Sequence, residues 1–394
     1  MRGTICERFS LSSTGGAVHC LTIISAVDPA LLDLTALALH GEGALVIRAR
    51  LLPEQGEHGV VRLTTASMSD AASSTTSVID IPRSKDCWTC SLREVLVAVG
   101  EDRARIEPDG TTVIMLPVGV ELVHLVPTLV DELELLPGVV LAGVAHVIDA
   151  DSAAEDLLEH RPLSAFAGES YAADGRCSGE IHMVAIGYAD VVVALGEDPV
   201  GRDLVEHLRP HDTLLLPGLD APLLPELLNV RHDVDSALAR VHPATTRAWG
   251  GPDEHGVRTL DLSSELPFHP GRLREFVADL AGHGLLARGC FWLPSRPGRV
   301  CTWEVAGGVV SVGEAGLWNA VPQMHVDELA ASGLSEHAPD APRCHLVVTG
   351  VADDAQCASV ADAFHRILLR PDEMGEALAW AGSPDGLEDW FGRE

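Results

Sequence analysis

The segment Asp190-Val191-Val192-Val193-Ala194-Leu195 carries no polar side chain after its first position and is too short for a buried helix. A strand of this kind needs apolar cover on both faces, which excludes a sheet with one face in water. Related runs rich in Val, Ile and Leu recur at 18–25, 44–51, 60–65, 111–116, 139–148 and 213–216. Between them the spacing predicts helices over 29–40, 91–99 and 121–135, the first opened by Pro29 in its favoured first-turn position. Strands alternating with helices predict an α/β domain, a mostly parallel sheet with helices on both faces.

The pattern changes after a Pro-, Gly- and His-rich passage at 242–255. Beyond it the sequence predicts strands over 257–262, 286–293, 299–305 and 344–349, with helices over 270–283 and 353–368. Consecutive strands with few helices predict a smaller antiparallel α+β domain. The expected organisation is a Ser- and Gly-rich flexible N-terminal extension at 1–16, a first domain at 17–245, a linker at 246–255, a second domain at 256–375 and an acidic tail at 376–394. No internal repeat is evident.

Two motifs in the second half are unusual enough to carry a resemblance. Leu266-Pro267-Phe268-His269-Pro270-Gly271-Arg272-Leu273 is followed, after a predicted helix, by Gly289-Cys290-Phe291-Trp292-Leu293-Pro294-Ser295-Arg296-Pro297. In order and spacing they resemble the C-terminal domain of the CobW family, GTP-dependent proteins linked to cobalt and zinc handling. The resemblance implies that the first domain is P-loop-NTPase-like. His269 reads as a turn-forming residue between two prolines at least as well as a functional one. Trp292, Trp303 and Trp318 read as core.

A phosphate-binding loop needs glycines at turn positions, a lysine for the β- and γ-phosphates, and a Ser or Thr for Mg²⁺. The resemblance places this loop at Ser25-Ala26-Val27-Asp28-Pro29-Ala30-Leu31-Leu32, which has neither Gly nor Lys. Of 27 Lys and Arg residues only Lys85 is a lysine, so no other segment can supply the missing one. Leu116 stands where the family has a glutamate at a strand end. Of the guanine-reading motif only Asp198 remains, and Pro199 after it marks Asp198 as a helix cap. The sequence therefore predicts no catalytic residues, no cofactor-binding residues beyond that remnant, and weak or absent binding of GTP and Mg²⁺; GTP hydrolysis is the activity the resemblance would imply for an active enzyme.

The family's C-x-C-C metal motif has a counterpart in Asp86-Cys87-Trp88-Thr89-Cys90, with Thr89 at the third position. Two thiolates in C-x₂-C spacing at a helix start can take one Zn²⁺, and the helix N-terminus lowers their pKa. Cys87 and Cys90 are the candidate zinc ligands. The remaining ligands would come from other His or Cys, from water, or from a partner. Ordinary inert cysteines and a thioredoxin-like dithiol are the competing readings. Among 18 His there is no H-E-x-x-H cluster, and Pro210 separates His207 from His211.

A formal net charge of −31 argues against docking on nucleic-acid phosphates and is read as a solvated surface. Nine cysteines, scattered apart from Cys87 and Cys90, do not describe a secreted disulfide framework. The apolar run after Arg8 lacks a small-residue cleavage site, and no stretch reaches the length of a membrane span. A cytoplasmic protein is expected. A branch of the CobW family with C-x-x-C and no phosphate-loop lysine recruits a hibernation factor to the ribosome under zinc limitation, and this chain is similar to it in both departures. The expected function is thus zinc-responsive recruitment of a protein partner. A GTP-dependent zinc or cobalt metallochaperone and a thiol oxidoreductase are the alternatives.

Overall fold

The computed structural model describes residues 17–55, 58–69, 73–168, 171, 173–321 and 341–391, so the extension expected at 1–16 lies outside it. The first sheet has eight strands: β1 (His19–Ala26), β2 (Leu45–Leu52), β3 (Val60–Ser69), β4 (Ser73–Pro82), β5 (Thr111–Met115), β6 (Val139–Asp149), β7 (Val191–Leu195) and β8 (Leu214–Leu216). Their spatial order is β4-β3-β2-β5-β1-β6-β7-β8. The run from β2 to β8 is parallel, and β3 and β4 add an antiparallel hairpin at one edge.

β1 shows why these strands are mostly apolar, its polar residues His19, Thr22 and Ser25 being buried as well. Leu21 and Ile23 enter a core packed by α2 (Trp88–Ile106) and α3 (Leu122–Glu134), whereas Ile24 and Ala26 enter the opposite core under α1 (Pro29–Gly41). Alternate side chains serve two hydrophobic layers, so no position is left for a polar residue facing water. The remaining helices of this domain are α4 (Ala153–Leu158), α5 (Ser164–Ala167), α6 (Ser178–Tyr188), α7 (Pro199–Leu208), α8 (Leu223–Asn229) and α9 (Val234–Val241).

The second sheet is antiparallel and contains β9 (Val257–Ser264), β10 (Leu285–Phe291), β11 (Arg299–Ala306), β12 (Val309–Leu317) and β13 (Cys344–Val351), in the order β12-β11-β10-β13-β9. One face is covered by α10 (Pro270–Ala281) and α11 (Asp354–Ile367). Leu285, Ala287 and Phe291 point into that core, while Leu286 joins Val257 and Ala306 in a cluster with Ile148, Leu157, Cys177 and Leu204 of the first domain. The central strand of the second domain is therefore buried on both sides, and the two domains share one apolar layer. Trp303 and Trp318 are buried as expected. Within the acidic stretch after 375, Leu387 is fully buried in the second core, and Asp385 accepts from Ser295 at 2.7 Å.

Two strands escaped the sequence reading, β4 and β12. Neither presents a run of apolar residues: β4 is dominated by Ser and Thr, and β12 lies on the exposed edge of its sheet.

Candidate metal centre and the carboxyl edge of the sheet

Cys87 is the N-cap of α2, in extended conformation, and its sulfur accepts from the Cys90 backbone N–H at 3.1 Å. The turn that carries it is fixed from outside. Trp88 packs onto Gly59, where a Cβ would lie 2.5 Å from the indole, and the Arg83 guanidinium sits 4.8 Å from the ring centre. Gly59 also has φ +86°, so the position demands glycine twice over.

The two thiols are not equivalent. The Cys90 thiol, the free N–H groups of the helix start and Arg93 all favour charge on Cys87 and push its pKa down. The bond to Cys87 raises that of Cys90, so Cys87 is the first of the two to lose its proton. Cys87 is exposed and Cys90 half-buried, so both are within reach of solvent ions. Lys85, the single lysine, pairs with Glu94 beside them. Among the described residues no group of three or more His, Cys, Asp or Glu side chains converges in a metal-holding arrangement. The donor set fits zinc as half of a tetrahedral site, two sulfurs from one turn.

α2 begins where β4 ends, and β4 runs parallel to β2 across the antiparallel hairpin, so the cysteines sit at the same edge of the sheet as the carboxyl ends of β1 and β5. This edge is where open α/β sheets bind their ligands. Only Val27 and Asp28 connect β1 to α1. Val27 is fully buried, and Asp28 caps the helix by accepting from Ala30 N–H at 2.7 Å. After β5, Leu116 is fully buried. Arg176 donates to the Gly119 carbonyl at 2.9 Å and pairs with Asp174 and Glu121.

Asp198 is the N-cap of α7, accepting from Gly201 N–H at 2.8 Å, with Pro199 in the first turn. Asp151 in turn accepts from the N–H groups of Glu197 and Asp198 at 2.6 and 2.8 Å. Asp198 thus serves as a cap, as its flank implied. His269 has the same role on α10, its Nδ1 accepting from Gly271 and Arg272 N–H. His207 and His211 do not converge: the first bonds Thr259 and the Pro252 carbonyl, the second the Trp249 carbonyl.

One constellation was not anticipated. Ser25, at the end of β1, lies 2.8 Å from Nδ1 of His146 on β6, and Nε2 of His146 lies 2.8 Å from Nδ1 of His182 on α6. Burial drives the His146 pKa down to about 3 and that of His182 well below the ordinary value, so both rings are neutral. A polar chain of neutral groups therefore occupies the interior behind the β1–α1 turn. The one hint in the sequence was a histidine inside the apolar run at 139–148.

Residues 257–368 match the cobalamin synthesis protein CobW C-terminal domain. The second domain is a CobW C-terminal domain. Over nearly the whole length, 382 residues, the chain is 26% identical to a Mycobacterium tuberculosis protein named as a zinc chaperone, covering 91% of this chain and 90% of that one. An uncharacterized Mycobacterium bovis protein matches to the same extent. The Zn(II)-bound YjiA GTPase from E. coli is similar at 14% identity with a TM-score of 0.34, over 89% of this chain and 99% of that one. The domain match and the mycobacterial likeness together support the CobW family for the chain.

Proposed function

We propose that this protein is a zinc-responsive binding factor of the CobW type that works without nucleotide hydrolysis. The observation that carries the reading is the pairing of two features on one sheet edge. The first is an exposed C-x₂-C pair at a helix start, poised to lose a proton. The second is a β1–α1 connection of two residues, one buried and one acidic, in place of a glycine-rich loop. The backbone N–H groups that would cradle phosphate need a longer loop, and the lysine is elsewhere, in a pair with Glu94.

Zinc is the metal favoured by thiolate donors in this geometry. The name of the mycobacterial relative points the same way. Two sulfurs give an open site whose occupancy follows the zinc supply, since a closed four-ligand site would stay filled. Zinc state then changes the surface that a protein partner meets, and a ribosome-associated hibernation factor is the partner that the family resemblance suggests. The organisation proposed is a nucleotide-domain relic at 17–245 and a CobW domain at 256–375, joined at 246–255.

Calorimetric titration of the full chain with zinc, and separately with GTP and Mg²⁺, tests the reading. It expects zinc to bind and GTP not to. Tight Mg²⁺-dependent GTP binding would return the protein to the metallochaperone GTPases. Absence of zinc binding would leave Cys87 and Cys90 as ordinary cysteines.

A further inference from the structure

The free thiols of the described residues fall into two groups. Cys177, Cys290, Cys301 and Cys344 are buried, and burial pushes the Cys290 pKa up to about 12 and that of Cys344 well above the ordinary value. Such thiols are inert. Cys357 is half-buried on α11, and the charged groups that act on it are Asp353, Asp354 and Arg258, with no second thiol among them. Cys87 and Cys90 differ on both counts. Solvent reaches each of them, and their side chains hydrogen-bond to one another.

The backbone holds these two sulfurs together without locking them. Cys87 is the N-cap of α2, in extended conformation, and Cys90 is the third residue of the helix. Trp88 packed on Gly59, with the Arg83 guanidinium over the indole, fixes the turn between them. The Arg83 N–H also donates to the Gly59 carbonyl at 3.0 Å, which ties the approach to Cys87 down to the segment between β2 and β3. The main chain is thus held, while the exposed Cys87 side chain keeps its rotation about Cα–Cβ. A disulfide needs two side chains that are close and point together, and thiols already in hydrogen-bond contact meet that condition.

We propose that Cys87 and Cys90 close into a reversible disulfide when a hydroperoxide reaches them, and that this bond and zinc exclude each other. The chemistry balances in two steps. The thiolate of Cys87, the more exposed sulfur, attacks one peroxide oxygen; the O–O bond breaks, a sulfenic acid forms, and the other oxygen leaves as hydroxide. The Cys90 thiolate then attacks the Cys87 sulfur; the S–S bond forms, the S–O bond breaks, and the second oxygen leaves as hydroxide. The two thiol protons convert both hydroxides to water. Two thiols have lost two electrons, and the peroxide has gained them. Neither sulfur of the product is a thiolate, so zinc finds no donor there. Bound zinc, in turn, occupies the electron pairs that attack the peroxide. The exclusion rests on the zinc reading of the pair and adds an oxidant as a second signal at the same site.

The test uses the full chain, reduced and stripped of metal by a chelator, with hydrogen peroxide as the oxidant. Its intact mass should fall by two hydrogens, and peptide mapping should place the new bond between Cys87 and Cys90. The oxidised chain should take no zinc in calorimetry, and dithiothreitol should restore the binding. Chain loaded with zinc beforehand should resist the same peroxide treatment. Cys357→Ser should behave as the parent, whereas Cys90→Ser should stop at a sulfenic acid on Cys87 that dimedone traps. Circular dichroism on each variant confirms that the fold is retained. Oxygen added to Cys87 of the parent without a disulfide, another cysteine oxidised as fast, or zinc taken equally by the oxidised chain would overturn the proposal. A reduced chain that takes no zinc overturns the exclusion together with the zinc reading, and the mass measurement still decides the disulfide by itself.

Discussion

At the scale of single residues, the chemistry concentrates in Cys87, Cys90 and the buried histidines. Replacing both cysteines with Ser should abolish zinc binding while leaving the thermal midpoint within a few degrees of the parent, because neither sulfur belongs to a hydrophobic core. A collapse of the midpoint in that variant would make the pair structural. His146 gives a pH prediction whose sign is fixed. Its folded pKa, about 3, lies below its ordinary 6.5, so the unfolded chain takes up the proton first. The stability it confers is complete above pH 6.5 and lost as pH falls from there toward 3, at up to about 1.4 kcal/mol per pH unit. His182 adds to the loss in the same direction. Denaturant unfolding between pH 7 and 5 should show this decline, and His146→Asn should flatten it. A pH-independent midpoint would mean that the rings are not held neutral. The cysteine pair was legible because its two members lie three positions apart in the sequence. The Ser25–His146–His182 chain was not, because its contacts span 121 and 36 positions and depend on which strands become neighbours.

At the scale of elements, caps and close approaches decide where helices and strands begin and which residues they accept. Asp28, Asp198 and His269 each accept backbone N–H groups at a helix start followed by proline. Pro in the first turn made these boundaries readable from sequence, the Asp198 cap among them. Asp198→Ala should lower stability by about 1 kcal/mol, measured by denaturant unfolding, with no change in metal binding. Gly289, from the second diagnostic motif, is needed for a different reason: a Cβ there would run into the backbone carbonyl of His345 on β13. Gly289→Ala should therefore cost roughly 2 kcal/mol or more and loosen the centre of the second sheet. A neutral outcome would show that β10 and β13 can separate. β4 and β12 were invisible because edge strands are specified by pairing with a neighbour, and many of their described side chains are exposed.

At the scale of the whole molecule, the alternating pattern predicted the parallel sheet correctly because burial on both faces leaves a direct mark on composition. The shared layer between domains left none, since Leu286 and Ala306 look like ordinary core residues of their own domain. Their packing predicts that cleavage near Gly250 by limited proteolysis will leave the two parts associated in native gel filtration. Free separation would contradict the buried junction. No helix among the described residues is long and apolar enough to cross a membrane. The central proposal is that zinc, and not nucleotide, is what this chain senses. A chelator-competition titration of zinc into the full chain, run with and without saturating GTP and Mg²⁺ and repeated on the Cys87→Ser/Cys90→Ser variant, tests it most directly. The account predicts zinc binding that is indifferent to GTP and absent from the variant; zinc affinity that shifts with GTP, or persists without the cysteines, would contradict it.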